Sequence, residues 1–288
     1  MGEPSAAPQG RRGLLVRLVV APLVLGGVLA VLAWHDRTGS SVPSDVLLLL
    51  LGAGAAYEVV AMCAKAGAAG SVPIAVGFAA ALSGLGLVSQ DDPQARGAAR
   101  ALLVAGAVLA AFLSHFRPPR PGDLARLFAT VFPVVYVGFL FGCLREVGDG
   151  ADGARRMAFV VVVSKASDIG GWAVGKAIGR HKMIPSVSPG KTWEGTAGGI
   201  LFSVGAAVGL AALLGPLSGL VPTRAHAAAL GLVLGSASIV AGLTHSALKR
   251  RCGVKDSSAL LPEMGGLLDM VDSILLAAPA AWAWSLFV

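Results

Sequence analysis

The residues best suited to chemistry cluster between Ser246 and Ser273, in SALKRRCGVKDSSALLPEMGGLLDMVDS. Lys249, Arg250, Arg251 and Lys255 lie close together there, a set of cations suited to phosphate groups. The chain then turns through Pro262, Gly265 and Gly266 and puts Asp269 and Asp272 at the head of the last apolar segment. Carboxylates at i, i+3 share one helical face. A pair so placed suits Mg²⁺, which also binds substrate phosphates and usually keeps several waters. This is a pattern for phosphate chemistry.

A second stretch, GRHKMIPSVSPGKTWEGTAGG from Gly179 to Gly199, offers Lys182, Ser188, Lys191 and Thr192, then Trp193 and Glu194 ahead of a glycine-rich helix. Serine, threonine and lysine donors near a helix start suit an anionic phosphate. The GKT at 190–192 invites a phosphate-binding P-loop, but that motif needs a glycine where this chain has Pro185, and no strand pattern precedes it. The P-loop is therefore rejected. Composition alone leaves the bases of this loop equally readable as determinants of membrane topology.

The elements that must position these residues are apolar. The chain is 55% hydrophobic and 14% charged, with a mean hydropathy of +0.76, whereas a soluble domain is nearer half apolar and about a quarter charged. Apolar runs recur at about 14–34, 46–63, 72–89, 99–116, 124–144, 157–178, 195–220, 227–247 and 268–287. Each is near the length needed to cross a bilayer. The expected fold is an all-α polytopic bundle of about nine transmembrane helices. A short tail (1–13) precedes N-terminal transmembrane helices (14–150) and a C-terminal catalytic transmembrane region (151–288).

The net charge of +7 does not point to nucleic acid, because the bases sit in short loops between apolar spans. Fifteen Lys and Arg fall at the N-terminus and in alternate loops: Arg11, Arg12, Arg17, Lys65, Arg117, Arg120, Arg126, Lys176, Arg180, Lys182, Lys191, Lys249, Arg250, Arg251 and Lys255. The other loops carry seven: Arg37, Arg96, Arg100, Arg145, Arg155, Arg156 and Arg224. The positive-inside rule places the larger set in the cytoplasm. Both chemical stretches fall on that side, and a bacterial inner membrane is the expected setting. The alternative use of Arg11 and Arg12 is a twin-arginine export signal. Cys63, Cys143 and Cys252 are far apart in sequence, without metal-ligand spacing.

Polar groups within the spans are costly and so are functional candidates. Glu58 reads best as a polar contact between helices. Lys165 and Asp168, at i, i+3, can pair, which lowers the cost of burying either. Gly171, Gly175 and Gly179 recur every four residues, a strip that lets helix backbones approach closely and would bring Asp168 against a neighbour.

Taken together, residues 167–199 and 246–273 resemble the phosphatidate cytidylyltransferases, the CDP-diacylglycerol synthases. The family pattern of Ser-x-x-Lys-Arg, Lys-Asp, a Pro-x-His-Gly-Gly turn and Asp-Arg-x-Asp is matched at Ser246, Lys249, Arg250, Lys255, Asp256, Pro262, Gly265, Gly266, Asp269 and Asp272. Its Ser-Pro-x-Lys-Thr-x-Glu-Gly loop is matched at Ser188, Pro189, Lys191, Thr192, Glu194 and Gly195. Its acid ahead of an aromatic and a glycine is matched at Asp168, Trp172 and Gly175. The resemblance implies that CTP and phosphatidate, a membrane lipid, give CDP-diacylglycerol and pyrophosphate with Mg²⁺. A second cation and a homodimer are left open.

On that resemblance, Asp269 and Asp272 would bind metal, with Asp256 orienting Lys255 or joining them. Lys191, Lys249, Arg250 and Lys255 would neutralise phosphates. Ser188, Thr192 and Ser246 would donate hydrogen bonds, with Glu194 and Asp168 also at the substrate. The chain departs from the pattern at Gly242, where the family has an acid, and at His245, Met264 and Met270, in place of a glutamate, a histidine and an arginine. Those departures raise two alternatives, a weakened or substrate-shifted homologue and a membrane transporter or scaffold.

Overall fold

The computed structural model describes residues 11–87, 92–114, 120–150, 152–260 and 265–288, with the backbone alone for 11–19 and Pro93. Most of the tail at 1–13, Arg117, Pro262 and Met264 lie outside the described residues. Ten α-helices follow in order: α1 (Arg11–Thr38), α2 (Val42–Lys65), α3 (Val72–Ser83), α4 (Pro93–Leu113), α5 (Asp123–Pro133), α6 (Leu140–Val147), α7 (Gly153–Ile178), α8 (Trp193–Leu214), α9 (Arg224–Arg251) and α10 (Leu267–Ser285). A π-helical segment, Val134–Phe139, joins α5 to α6. A hairpin of β1 (Lys182–Ile184) and β2 (Ser188–Thr192) lies between α7 and α8.

Eight helical stretches are long and apolar enough to cross a membrane, with Asp123–Val147 counted as one. The chain is an all-α polytopic membrane protein. Each of the nine predicted spans meets a helix, but the third is short. With 12 residues, α3 covers about 18 Å at 1.5 Å per residue, against about 30 Å of hydrocarbon. It ends where Ser83 is buried against Gly52 of α2, which has no room for a side chain. The 3₁₀ turn Leu85–Leu87 then folds over Asp45 and Arg145, whose side chains would collide with a Cβ on Gly86.

Pro133 explains the π segment. A proline has no amide to donate and its ring crowds the preceding turn. One wider turn absorbs both defects without ending the helix. The hairpin is the element the sequence did not announce, since its strands have three and five residues and one reads SPGKT. Ile184 pairs with Ser188 and Lys182 with Thr192, so the GKT lies on a strand and α8 begins at the next residue.

The glycine strip packs as expected. A Cβ on Gly195 of α8 would stand 2.7 Å from the Gly171 carbonyl oxygen and 3.2 Å from Gly175 Cα, and one on Gly199 would stand 2.9 Å from the Ser167 carbonyl oxygen. Only glycine permits this approach of α7 and α8, and it fixes the hairpin between their ends. At the opposite end of the bundle, arginines and acids close on one another. Arg145 Nε lies 2.6 Å from Asp45 Oδ1, Arg100 Nη2 lies 2.6 Å from Glu146 Oε1, and Arg96 bridges Glu146 and Asp149. Four of the seven bases assigned to that side, these three and Arg155 beside Asp36, are thus in ion pairs.

Candidate active site

The site is built around the start of α10. The first amides of a helix have no partners within it. Here they are met by an acid from another helix. Glu58 of α2 accepts hydrogen bonds from the Leu267 and Leu268 amides at 3.0 and 2.9 Å, and from the Ser258 and Ser257 hydroxyls at 2.7 Å each. The approach explains the paired glycines. Gly265 has a φ of 86°, in the left-handed region. A Cβ on Gly266 would collide with the Glu58 carboxylate and the Ser257 hydroxyl. Glu58 is therefore the polar contact between helices that its position suggested, and its partners are the candidate loop itself.

Asp269 is the second hub. Its Oδ1 accepts from His245 Nε2 at 3.0 Å and Lys249 Nζ at 2.5 Å, and its Oδ2 from the Ser257 and Gly266 amides at 2.8 and 3.1 Å; the Ser257 hydroxyl, 2.7 Å from both this oxygen and Glu58, has one proton for the two carboxylates. A carboxylate offers about four lone-pair positions, so these four donors fill it. His245 is fully buried and serves Asp269 as a donor rather than replacing the glutamate expected there.

Asp272 is placed differently. One oxygen takes the neighbouring Ser273 amide at 2.6 Å, and the other lies 4.0 Å from where a Cβ would stand on Gly242. Lys191 fills that space from the hairpin, with Nζ 2.7 Å from the same point and hydrogen-bonded to the Ile239 carbonyl at 3.2 Å. Burial lowers the Lys191 ammonium below the ordinary lysine range, and the charges of Asp272 and Asp168 oppose that shift. Lys165 of α7 donates to Asp168 at 3.2 Å and to the Ser273 hydroxyl at 2.9 Å. Asp168 is close enough to Asp272 to act on its charge. Lys165, Lys191, Asp168 and Asp272 thus converge from three separate elements.

The other predicted residues surround this centre. Thr192 is buried and caps α8, accepting from the Gly195 amide at 3.1 Å. Glu194 holds His181, with Oε1 at 2.6 Å from the ring Nδ1 and both oxygens at the His181 amide, which fastens the hairpin to α8. Ser188 opens β2. Arg250 donates to the Val187 carbonyl at 3.4 Å, and the Ser246 hydroxyl turns back to the Gly242 carbonyl at 2.7 Å. Lys255 and Asp256 are exposed after α9, and no hydrogen bond or ion pair joins them among the described residues.

Sequence reasoning placed Lys165 in a pair but not at the site, and missed Tyr136. Tyr136 lies on the π segment with a buried hydroxyl that has no partner among the described residues, and it is within electrostatic reach of Asp272. The available signal was Pro133, three residues ahead of it inside an apolar run. Cys63 and Cys252, distant in sequence, come close enough for each thiol to influence the other. Burial raises the Cys252 thiol.

Among the described residues no three His, Cys, Asp or Glu side chains form a metal cage. Asp272 and Asp168 nevertheless retain acceptor capacity, and two carboxylates suit a Mg²⁺ ion that keeps waters and takes its other ligands from substrate phosphate. Asp269 as bonded here does not offer a position.

The chain matches the Cytidylyltransferase family over residues 15–288. It belongs to that family. It is 37% identical over 167 residues to a phosphatidate cytidylyltransferase of Mycobacterium bovis, an alignment covering 57% of this chain and 52% of the relative. It is 42% identical over 128 residues to one from Pseudomonas aeruginosa (44% and 46%), and 36% identical over 168 residues to one from Haemophilus influenzae (53% of each). The chain thus spans about half the length of these relatives. Membership of that family does not favour the transporter or scaffold alternative. The cytidylyltransferase departures now have places: Met270 lines an apolar cavity beside Asp269, and Gly242 lies under the Lys191 ammonium.

Proposed function

We propose that the chain transfers the cytidylyl group of CTP to phosphatidate, giving CDP-diacylglycerol and pyrophosphate. The observation that carries this reading is the meeting of Lys191, from the phosphate-suited loop, with Asp272, from the Asp-x-x-Asp stretch, over Gly242. A phosphate oxygen of phosphatidate attacks the α-phosphorus of CTP, and the bond to the β-phosphate breaks, pyrophosphate leaving with the electron pair. Transfers of this kind depend mainly on positioning and on neutralising phosphate oxygens. Lys191 and Lys165 supply the charge nearest the centre, while Lys249, tied to Asp269, and Arg250, tied to the hairpin, hold the loop that delivers it.

Asp272 and Asp168 would hold Mg²⁺, and the metal when bound would neutralise charge on the transferring phosphate. Asp269 keeps the role of fixing the loop to α10. The fifteen-to-seven distribution of bases supports a cytoplasmic site in a bacterial inner membrane.

The test supplies detergent-purified protein with labelled CTP, phosphatidate and Mg²⁺. Labelled CDP-diacylglycerol is expected in proportion to enzyme. Its absence across a range of metal and lipid concentrations would overturn the proposal.

A further inference from the structure

Four buried hydroxyls meet no hydrogen-bond partner among the described residues: those of Ser83, Tyr136, Ser164 and Ser238. The three serines lie on helices, where a hydroxyl can turn to a carbonyl one turn back. Tyr136 has no such outlet. Its hydroxyl stands at the end of a rigid ring and cannot reach its own helix. A phenylalanine would fill the same space without burying an unmet polar group, which is costly.

The ring is also fixed. It is 7% exposed, and Phe132 stacks on it with centroids 5.0 Å apart and planes 11° apart. The π segment that carries it is clamped to α3. A Cβ on Gly138 would stand 2.7 Å from Ala79 Cα, and one on Gly142 would stand 2.8 Å from the Leu82 carbonyl oxygen. The hydroxyl therefore keeps its place, within reach of the Asp272 charge. Asp272 gives one lone pair to the Ser273 amide at 2.6 Å, of about four that a carboxylate offers. Both groups thus have bonding capacity left. They are too far apart for a direct hydrogen bond and close enough to interact, the separation at which a bridging water serves. A buried water needs two to four polar partners, and these are two.

We propose that Tyr136 is a positioning residue of the site, its hydroxyl donating through one water to the Asp272 carboxylate. The proposal rests on the assignment of Asp272 to the metal made above and adds what orients it. A carboxylate that ligates a metal is itself held by outer hydrogen bonds, and losing one costs about ten- to a hundredfold in metal affinity or activity. Tyr136 supplies that bond from the π segment, while α7 and the hairpin bring Asp168 and Lys191. A donor there leaves Asp272 ionised, with its other lone pairs free for the cation. The π turn, a form often found at functional sites, is what presents the hydroxyl.

The test uses Mn²⁺ alone, followed by its EPR signal, on detergent-purified full-length protein without nucleotide or lipid. Tyr136→Phe is expected to bind Mn²⁺ about tenfold more weakly than wild type. It should melt, without metal, close to the wild-type temperature, because the same ring fills the same space. Unchanged affinity would overturn the proposal. So would weaker binding accompanied by a much lower melting temperature, which would make the hydroxyl part of the packing. Asp272→Asn is the reference. If it binds Mn²⁺ as wild type does, the metal assignment fails and the proposal with it. If it loses Mn²⁺ while Tyr136→Phe does not, the assignment stands and Tyr136 is refuted. In turnover, the loss in Tyr136→Phe should shrink as Mg²⁺ is raised; a loss equal at every Mg²⁺ concentration would also overturn the proposal. The binding arm needs no product, so it stands or falls apart from the reaction.

Discussion

The two ends of the bundle carry the same charge balance and use it differently. At the far end Arg96, Arg100 and Arg145 meet Asp45, Glu146 and Asp149; at the site end Lys165, Lys191 and Lys249 meet Asp168, Asp269 and Asp272. Arginine presents a rigid fork that suits fixed ion pairs, and lysine a mobile point charge on a flexible stem. The far cluster is accordingly closed. Arg96 and Asp45 are at most 1% exposed, and Arg100 also stacks over Phe139 and Trp282. The site cluster is divided, with Asp269 saturated by four donors and Asp272, Asp168, Lys165 and Lys191 still able to take a ligand. Charge number does not mark an active site; unspent bonding capacity on flexible groups does.

The sharpest way to break this contrast lies within the site itself. Asp272→Asn is expected to fold normally and lose about 10²–10³-fold in turnover, the scale for removing one electrostatic contact to a transition state. Asp269→Asn should fail by another route. It leaves the half-buried Lys249 without its counter-charge and the Ser257 and Gly266 amides with a weaker acceptor, a defect worth about 1–3 kcal/mol, and should unfold at lower temperature in detergent. Thermal melts beside turnover assays on both variants separate the roles. If Asp269→Asn melts like wild type but is inactive, Asp269 belongs to the chemistry and the division drawn here is wrong.

Arg145→Met probes the other end. Asp45 would lose its partner, so a loss of stability of about 3–5 kcal/mol is expected. Turnover per folded molecule at low temperature should be unchanged. A fall in turnover without a fall in melting temperature would show that the far cluster acts on the site.

Much of this was legible in the sequence, for definite reasons. Apolar runs must become helices in a bilayer, because backbone groups there have no other partners, so nine segments could be counted. Where the count misled, at α3, the cause was tertiary: Ser83 and Gly52 end the helix in a way no run of hydropathy encodes. The strip of glycines on α7 spoke for itself, since close backbone approach needs them. The hairpin did not, because three- and five-residue strands have too little period to read. At the site, residue types and spacing gave the phosphate-suited groups but not the partition among them. Asp269 and Asp272 are equivalent on a helical wheel. What distinguishes them is Ser257 and Gly266, brought in by the turn, and His245 and Lys249, reaching across from α9. Glu58 is the hardest case, because its partners lie some 200 positions away, as with Ser257 at a separation of 199.

The lysines can be tested by pH. Lys191 has its affinity for a proton lowered by burial, so its charge is full below that reduced value and is lost as pH rises through it, before an ordinary lysine near about 10.4 titrates. Turnover should therefore fall on the alkaline side earlier than titration of an exposed lysine would allow. Stability moves the other way. In the window between the reduced value and the ordinary one the unfolded chain binds more protons than the folded, so stability rises with pH. Lys191→Arg, which keeps its charge throughout, should extend the alkaline limb of the rate profile. An unchanged limb would mean that another group sets it.

The smallest effect is expected at Gly242, where the family places an acid. Taken from the pattern alone, Gly242→Asp should raise activity by restoring a lost carboxylate. The geometry argues against a large gain. The new Cβ would stand 2.7 Å from Lys191 Nζ, the end of a flexible side chain that can shift, so the substitution is tolerable. But the added carboxylate would then face Lys191 directly and pair with it. That exchange removes a cation from the phosphate as it adds an anion for the metal, two changes of opposite sign. Turnover should move by only a few-fold, the size of a partly exposed ion pair of about 0–1 kcal/mol, while the Lys191 ammonium titrates higher and the alkaline limb shifts upward. A rise of ten-fold or more with no shift in that limb would show that the missing acid, and not the placement of Lys191, limits the chain.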